Sequence, residues 1–125
     1  MKRILIVDDA YSWRKYHEDI IKNSGADFEI TLANSATTAN ELLYSNSDEP
    51  FDIILTDMQM ESDYLPLYAG EWLIEQIQAF SEYKHTEIII ISAAPNIKYI
   101  AEKYGVEFIR KADCRMPAAY FFLQK

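Results

Sequence analysis

Four short apolar runs, each followed by a segment of helical periodicity, constrain this chain more than any other feature. They are RILIVD (3–8), FEITLA (28–33), DIILT (52–56) and EIIIIS (87–92); a weaker fifth, VEFIR, covers 106–110. The first, third and fourth are nearly continuous in Ile, Leu and Val rather than alternating. Strands covered on both faces read this way. Between them, Trp13, Tyr16, Ile20 and Ile21 follow helical spacing, with Gly25 as a stop. Ser35 is an expected N-cap for a helix whose Ala36, Ala39 and Leu43 share a face. Leu73, Ile77 and Phe80 define a third helix opening near Gly70, and Ile97, Ile100, Ala101 and Tyr104 a fourth ending before Gly105. Pro117 is expected to open a fifth, PAAYFFLQK. Strict βα alternation predicts an α/β, doubly wound, five-stranded parallel sheet with helices on both faces. In such a sheet, ligand sites lie at the carboxyl ends of the strands.

Length and composition bound the rest. The 125 residues suit one domain, expected to span 1–125, and half of them are apolar, enough for a packed core. No apolar run approaches the ~20 residues of a membrane span, and the basic, then apolar start meets Asp8 without a cleavage site. A cytoplasmic protein without membrane association is the expectation. The net charge of −8 repels phosphate backbones and argues against nucleic-acid binding by this domain. One cysteine, Cys114, excludes an internal disulfide framework and a cysteine-rich zinc site.

Chemistry gathers at the strand ends. The first strand runs into Asp8-Asp9, the third into Thr56-Asp57, the fourth into Ser92 and the fifth into Arg110-Lys111. Three carboxylates in one pocket repel each other, so without a cation at least one should have a raised pKa. Mg²⁺ relieves that conflict, being a hard cation that takes oxygen ligands and shares phosphates. Such a site suits a phosphoryl group, with one carboxylate as nucleophile and an acyl phosphate as product. Taken singly, Asp9 reads as a turn residue, Ser92 as a cap and Lys111 as a surface charge. Taken together, acids after strands one and three, a hydroxyl after four and a lysine after five point to one site.

ILIVDDA, DIILTDMQM, IIIISAA and FIRK resemble, in order, the characteristic segments of a response-regulator receiver domain of two-component signalling. The resemblance covers nearly the whole chain. It implies a flavodoxin-like fold with strand order 2-1-3-4-5, and Asp57 as phosphoacceptor. It implies Mg²⁺ held by Asp8, Asp9, Asp57 and the Gln59 backbone carbonyl. Ser92 and Lys111 would contact the phosphoryl group, and Phe108 matches the aromatic switch position. Implied partners are a sensor histidine kinase or histidine phosphotransfer protein, and a downstream protein target. The target would meet a face built from the fourth helix, fifth strand and fifth helix. A phosphorylation-independent interaction module is the alternative. An aspartyl-nucleophile phosphatase is disfavoured, because VDDA lacks an acid two residues after the first. An output domain beyond residue 125 is left open.

The chain departs from the family at four places. Glu61 stands where proline is usual, the segment between Met60 and Gly70 is longer, Ala112 replaces proline after Lys111, and Phe108 has no hydroxyl. Lys111-Ala112 is expected to be trans, because a cis non-proline bond costs about 2.5–4 kcal/mol. The leucines and tyrosines of ESDYLPLYAG favour a packed loop, with Glu61 and Asp63 in solvent. Ala94 leaves room for water near Asp57. His17 is expected to face solvent, Trp72 to be core or rim, and Cys114 to be an ordinary free thiol.

Overall fold

The structure is a computed structural model that describes residues 1–60 and 69–124. Five parallel strands form one sheet in the order β2-β1-β3-β4-β5: β1 (Lys2–Val7), β2 (Phe28–Ala33), β3 (Ile53–Asp57), β4 (Glu87–Ser92) and β5 (Glu107–Arg110). The helices are α1 (Tyr11–Asn23), α2 (Ala36–Ser45), α3 (Ala69–Ala79) and α4 (Ile97–Tyr104). The fold class is as the βα alternation predicts, and the strand order is as the family resemblance implies.

Alternating side chains of each strand feed two cores. Leu5, Val7, Ile54, Ile88 and Ile90 pack with Leu43, Leu73, Ile77 and Ile97 of α2, α3 and α4. Ile4, Ile6, Leu55, Ile89 and Ile91 face the other way, against Ile21 of α1 and against Cys114, Tyr120 and Phe122. This two-sided burial explains the continuous apolar runs. Among the described residues, no helix is long and apolar enough to cross a membrane.

Local chemistry sets the ends. Ser35 caps α2 as expected, its hydroxyl accepting from the Thr38 N–H at 3.1 Å, a contact type worth ~1 kcal/mol. Gly105 ends α4 in the left-handed region at φ 67°, where glycine carries no Cβ penalty. The Lys111–Ala112 bond is trans, as expected.

The expected fifth helix is absent from the described residues. Residues beyond β5 form short 3-10 turns instead: Lys111–Asp113, Pro117–Ala119 and Phe121–Gln124. Tyr120 and Phe122 are both about 1% exposed, on the same side of the sheet. Residues two apart point away from each other on a helix. The backbone therefore breaks at Tyr120 (φ −83°, ψ 61°) so that both rings reach the sheet. The docking face expected from helix four, strand five and helix five is corrected accordingly: turns stand where its last helix was drawn. Glu61, Asp63 and the packed-loop expectation for most of the 60–70 segment lie outside the described residues.

Candidate phosphoryl and metal site

The register brings the strand ends together. Val7 pairs with Thr56, Asp57 with Ile91, and Ser92 with Arg110. Asp8, Asp57, Ser92 and Lys111 therefore follow or close four neighbouring strands at one edge. Carboxylate oxygens of Asp8, Asp9 and Asp57 all lie within 4.8 Å of one another. The Lys111 ammonium is 3.5 Å from Asp57 Oδ1 and 3.9 Å from Asp8 Oδ2.

Burial makes this cluster electrostatically expensive. Asp57 is 4% and Asp8 1% exposed. Loss of water, then the Asp8 charge, pushes the Asp57 carboxyl up to about 7, although Lys111 and the Gln59 backbone N–H pull the other way. Asp8 is also raised, chiefly by burial, against the Ala10 N–H, which donates to Oδ1 at 2.9 Å. Among the described residues, its Oδ2 is buried with no hydrogen-bond partner. Three clustered carboxylates, two with raised pKa values and one of these with an orphaned oxygen, are the donor set a hard divalent cation takes. The residues present fit such an ion.

The other expected site residues have definite surroundings. Ser92 is buried, and its hydroxyl accepts from the Ala94 N–H at 3.0 Å. Gln59 turns its side chain to solvent while its N–H faces Asp57. Phe108 is half-buried, two residues before the end of β5, with the Arg110 guanidinium 5.3 Å from its ring centre. Trp72 is half-buried against the core, and Cys114 is free but fully buried.

His17 corrects the sequence expectation. It is 2% exposed, not solvent-facing. Its Nδ1 lies 2.8 Å from the Tyr120 hydroxyl, and its Nε2 is 4.0 Å from Asp8 Oδ2. Burial, then Lys111, holds the imidazole down at about 4, so it is neutral and the Asp8 contact is not an ion pair. Trp13 lies between the two systems, stacked on His17 at 5.5 Å and 5.0 Å beneath the Lys111 ammonium. The signal was present: Trp13, His17 and Ile21 share a helical face at i, i+4, i+8.

Gly70 is a further requirement of the site. Its N–H donates to the Met58 carbonyl at 3.0 Å. A Cβ there would fall 2.4 Å from the Asp57 carbonyl oxygen and 2.6 Å from Met58 Cα. Only glycine lets the start of α3 press against the chain leaving Asp57.

Comparison with known proteins agrees with this geometry. A solved receiver domain protein from Clostridium thermocellum superposes with a TM-score of 0.75 at 22% identity, covering 98% of this chain and 94% of that one. The chemotaxis protein CheY4 of Vibrio cholerae gives a TM-score of 0.75 at 22% identity, covering 99% and 96%. The response regulator Rcp1, solved in a Mn²⁺-bound form, gives 0.72 at 15% identity, covering 99% and 90%. These likenesses show the fold. The sensor histidine kinase TmoS of Ectopseudomonas mendocina is 29% identical over 96 residues, which is 77% of this chain but 9% of that protein. The response regulator receiver domain family model matches residues 4–111. With that match spanning most of the chain and the acidic cluster and Lys111 at the sheet edge, this chain belongs to the response regulator receiver domain family.

Proposed function

We propose that residues 1–125 act as one receiver domain in which Asp57 accepts a phosphoryl group from a phosphohistidine. The observation that carries this is a buried Asp57 with Lys111 at 3.5 Å and two further carboxylates beside it. An Asp57 oxygen attacks phosphorus, the P–N bond to the donor imidazole breaks, and the imidazole leaves with its electron pair and takes up a proton. The product is an acyl phosphate. Reaction requires Asp57 ionised, and Lys111 favours that form. Asp8, Asp9, Asp57 and the Gln59 carbonyl would hold Mg²⁺, which when bound supplies charge neutralisation to the carboxylates and phosphoryl oxygens.

Phosphorylation exchanges one negative charge for roughly two and adds acceptor oxygens. Lys111 can pair with them. The Ser92 hydroxyl, which accepts from the Ala94 N–H, has its own hydrogen to donate. Its movement would open space for the half-buried Phe108, and the small Ala94 leaves water a path for hydrolysis. Such a shift is worth only the contacts that differ between the two states. The donor is a histidine kinase or phosphotransfer protein, which makes the cytoplasm the expected compartment. The downstream protein meets α4, β5 and the turns that follow β5.

The test is intact mass after incubation with Mg²⁺ and a small phosphodonor such as acetyl phosphate. One added phosphoryl group, absent without Mg²⁺ and in Asp57→Asn, is expected. No gain, or an equal gain in Asp57→Asn, overturns the reading and leaves an interaction module.

A further inference from the structure

The segment after β5 is tied to the acidic cluster at two points. Lys111, its first residue, pairs directly with Asp57 and Asp8. Nine residues later, Tyr120 bonds to His17, whose other nitrogen faces the orphaned Asp8 Oδ2. Between these anchors, the Tyr16 hydroxyl donates to the Cys114 carbonyl at 2.8 Å. His17, Tyr120 and Cys114 are all buried, so the segment cannot shift without disturbing α1.

The tautomer follows from the charges. Asp8 Oδ2 has the Lys111 ammonium at 3.9 Å but no hydrogen-bond donor within reach among the described residues. An N–H facing it is therefore favoured over a lone pair, which puts the His17 proton on Nε2. Nδ1 is then the acceptor, and the Tyr120 O–H donates to it. At 4.0 Å the Nε2 to Asp8 contact is longer than a hydrogen bond. Its strength therefore depends on where Asp8 is drawn.

We propose that His17 and Tyr120 form a relay in which His17 positions the Asp8 carboxylate and Tyr120 couples occupancy of the acidic site to the seating of residues 111–124. His17 is thus a positioning residue, one layer behind the carboxylates. Partners of this kind orient ligating carboxylates, and their loss typically costs 10–100-fold in metal affinity. The turns after β5 become the responding surface, since one of their anchors is the lysine that meets the phosphoryl group. This rests on the receiver reading above, because the site it regulates is the same.

The test uses Mg²⁺ alone, with Trp13 fluorescence in a Trp72→Phe background reporting binding and amide hydrogen exchange reporting the segment. In the wild type, Mg²⁺ should slow exchange across 114–122 several-fold. His17→Leu should weaken Mg²⁺ binding about tenfold. His17→Gln, which keeps an N–H donor, should recover much of that affinity. Tyr120→Phe should lose the exchange response and, because coupling is reciprocal, weaken Mg²⁺ binding by no more than the several-fold that the wild-type exchange response shows. A pair that serves packing alone would lower the melting temperature of these variants and leave Mg²⁺ affinity unchanged. Wild-type affinity in both His17→Leu and His17→Gln, or an exchange pattern in 111–124 indifferent to Mg²⁺, overturns the relay. Phosphorylation of the same wild-type sample separates the two claims. Mass gain without an exchange response sinks the relay alone, and Mg²⁺ response without mass gain sinks the phosphoacceptor reading alone.

Discussion

Replacing Asp57 with Asn should make the metal-free protein more stable. The amide has the shape of a protonated carboxyl and carries no charge, so it removes what burial penalises. Burial and Asp8 raise the Asp57 pKa from 3.8 to about 7. At ~1.4 kcal/mol per pKa unit, ionised Asp57 costs the folded state about 4 kcal/mol above neutral pH. The sign follows from linkage. The folded pKa lies above the unfolded one, so the penalty is absent below about pH 4, grows towards pH 7 and is constant above it. The advantage of Asp57→Asn should therefore be about 4 kcal/mol near pH 8 and about 2 kcal/mol near pH 5. Urea denaturation of both proteins in chelator at the two pH values measures it. Mg²⁺ should then narrow the gap, because an ion at about 100 times its Kd stabilises the wild type by roughly 2.7 kcal/mol. An Asn variant no more stable than wild type near pH 8, or a gap unchanged between the two pH values, refutes the electrostatic reasoning.

Other outcomes follow from the same geometry. Mg²⁺ must displace the Asp57 proton, so its affinity, titrated by fluorescence, should fall about tenfold from about pH 8 to pH 6 and release a proton. Gly70→Ala should destabilise the fold by about 1–3 kcal/mol or more, because its Cβ meets backbone rather than a movable side chain, and thermal melting would show it. The Cys114 thiol, fully buried and raised by that burial, should resist a thiol reagent until the chain unfolds.

The acidic site was legible because a parallel sheet converts sequence order into spatial convergence. Asp8, Asp57 and Lys111 are far apart in the chain, but each follows an apolar run, and right-handed crossovers leave all three at one edge. The C-terminal turns were not legible. PAAYFFLQK has helix-compatible residues and a well-placed proline, and only the demand that Tyr120 and Phe122 both reach the sheet breaks the helix. That demand comes from tertiary packing, which local propensity does not see. His17 was misread for a related reason. A histidine among charged neighbours looks solvated, and its buried partner, Tyr120, is 103 residues away. The close approach at Gly70 was equally hidden, since a helix-opening glycine and one pressed against Asp57 look alike in sequence.

The central claim is that Asp57 itself carries the phosphoryl group. Borohydride reduction of the phosphorylated protein converts an acyl phosphate to an alcohol and leaves homoserine where the aspartate was. Peptide sequencing by mass spectrometry after treatment with Mg²⁺ and acetyl phosphate should find homoserine at position 57 and unchanged aspartate at Asp8 and Asp9. Homoserine at either of those positions, or none anywhere, would contradict the account.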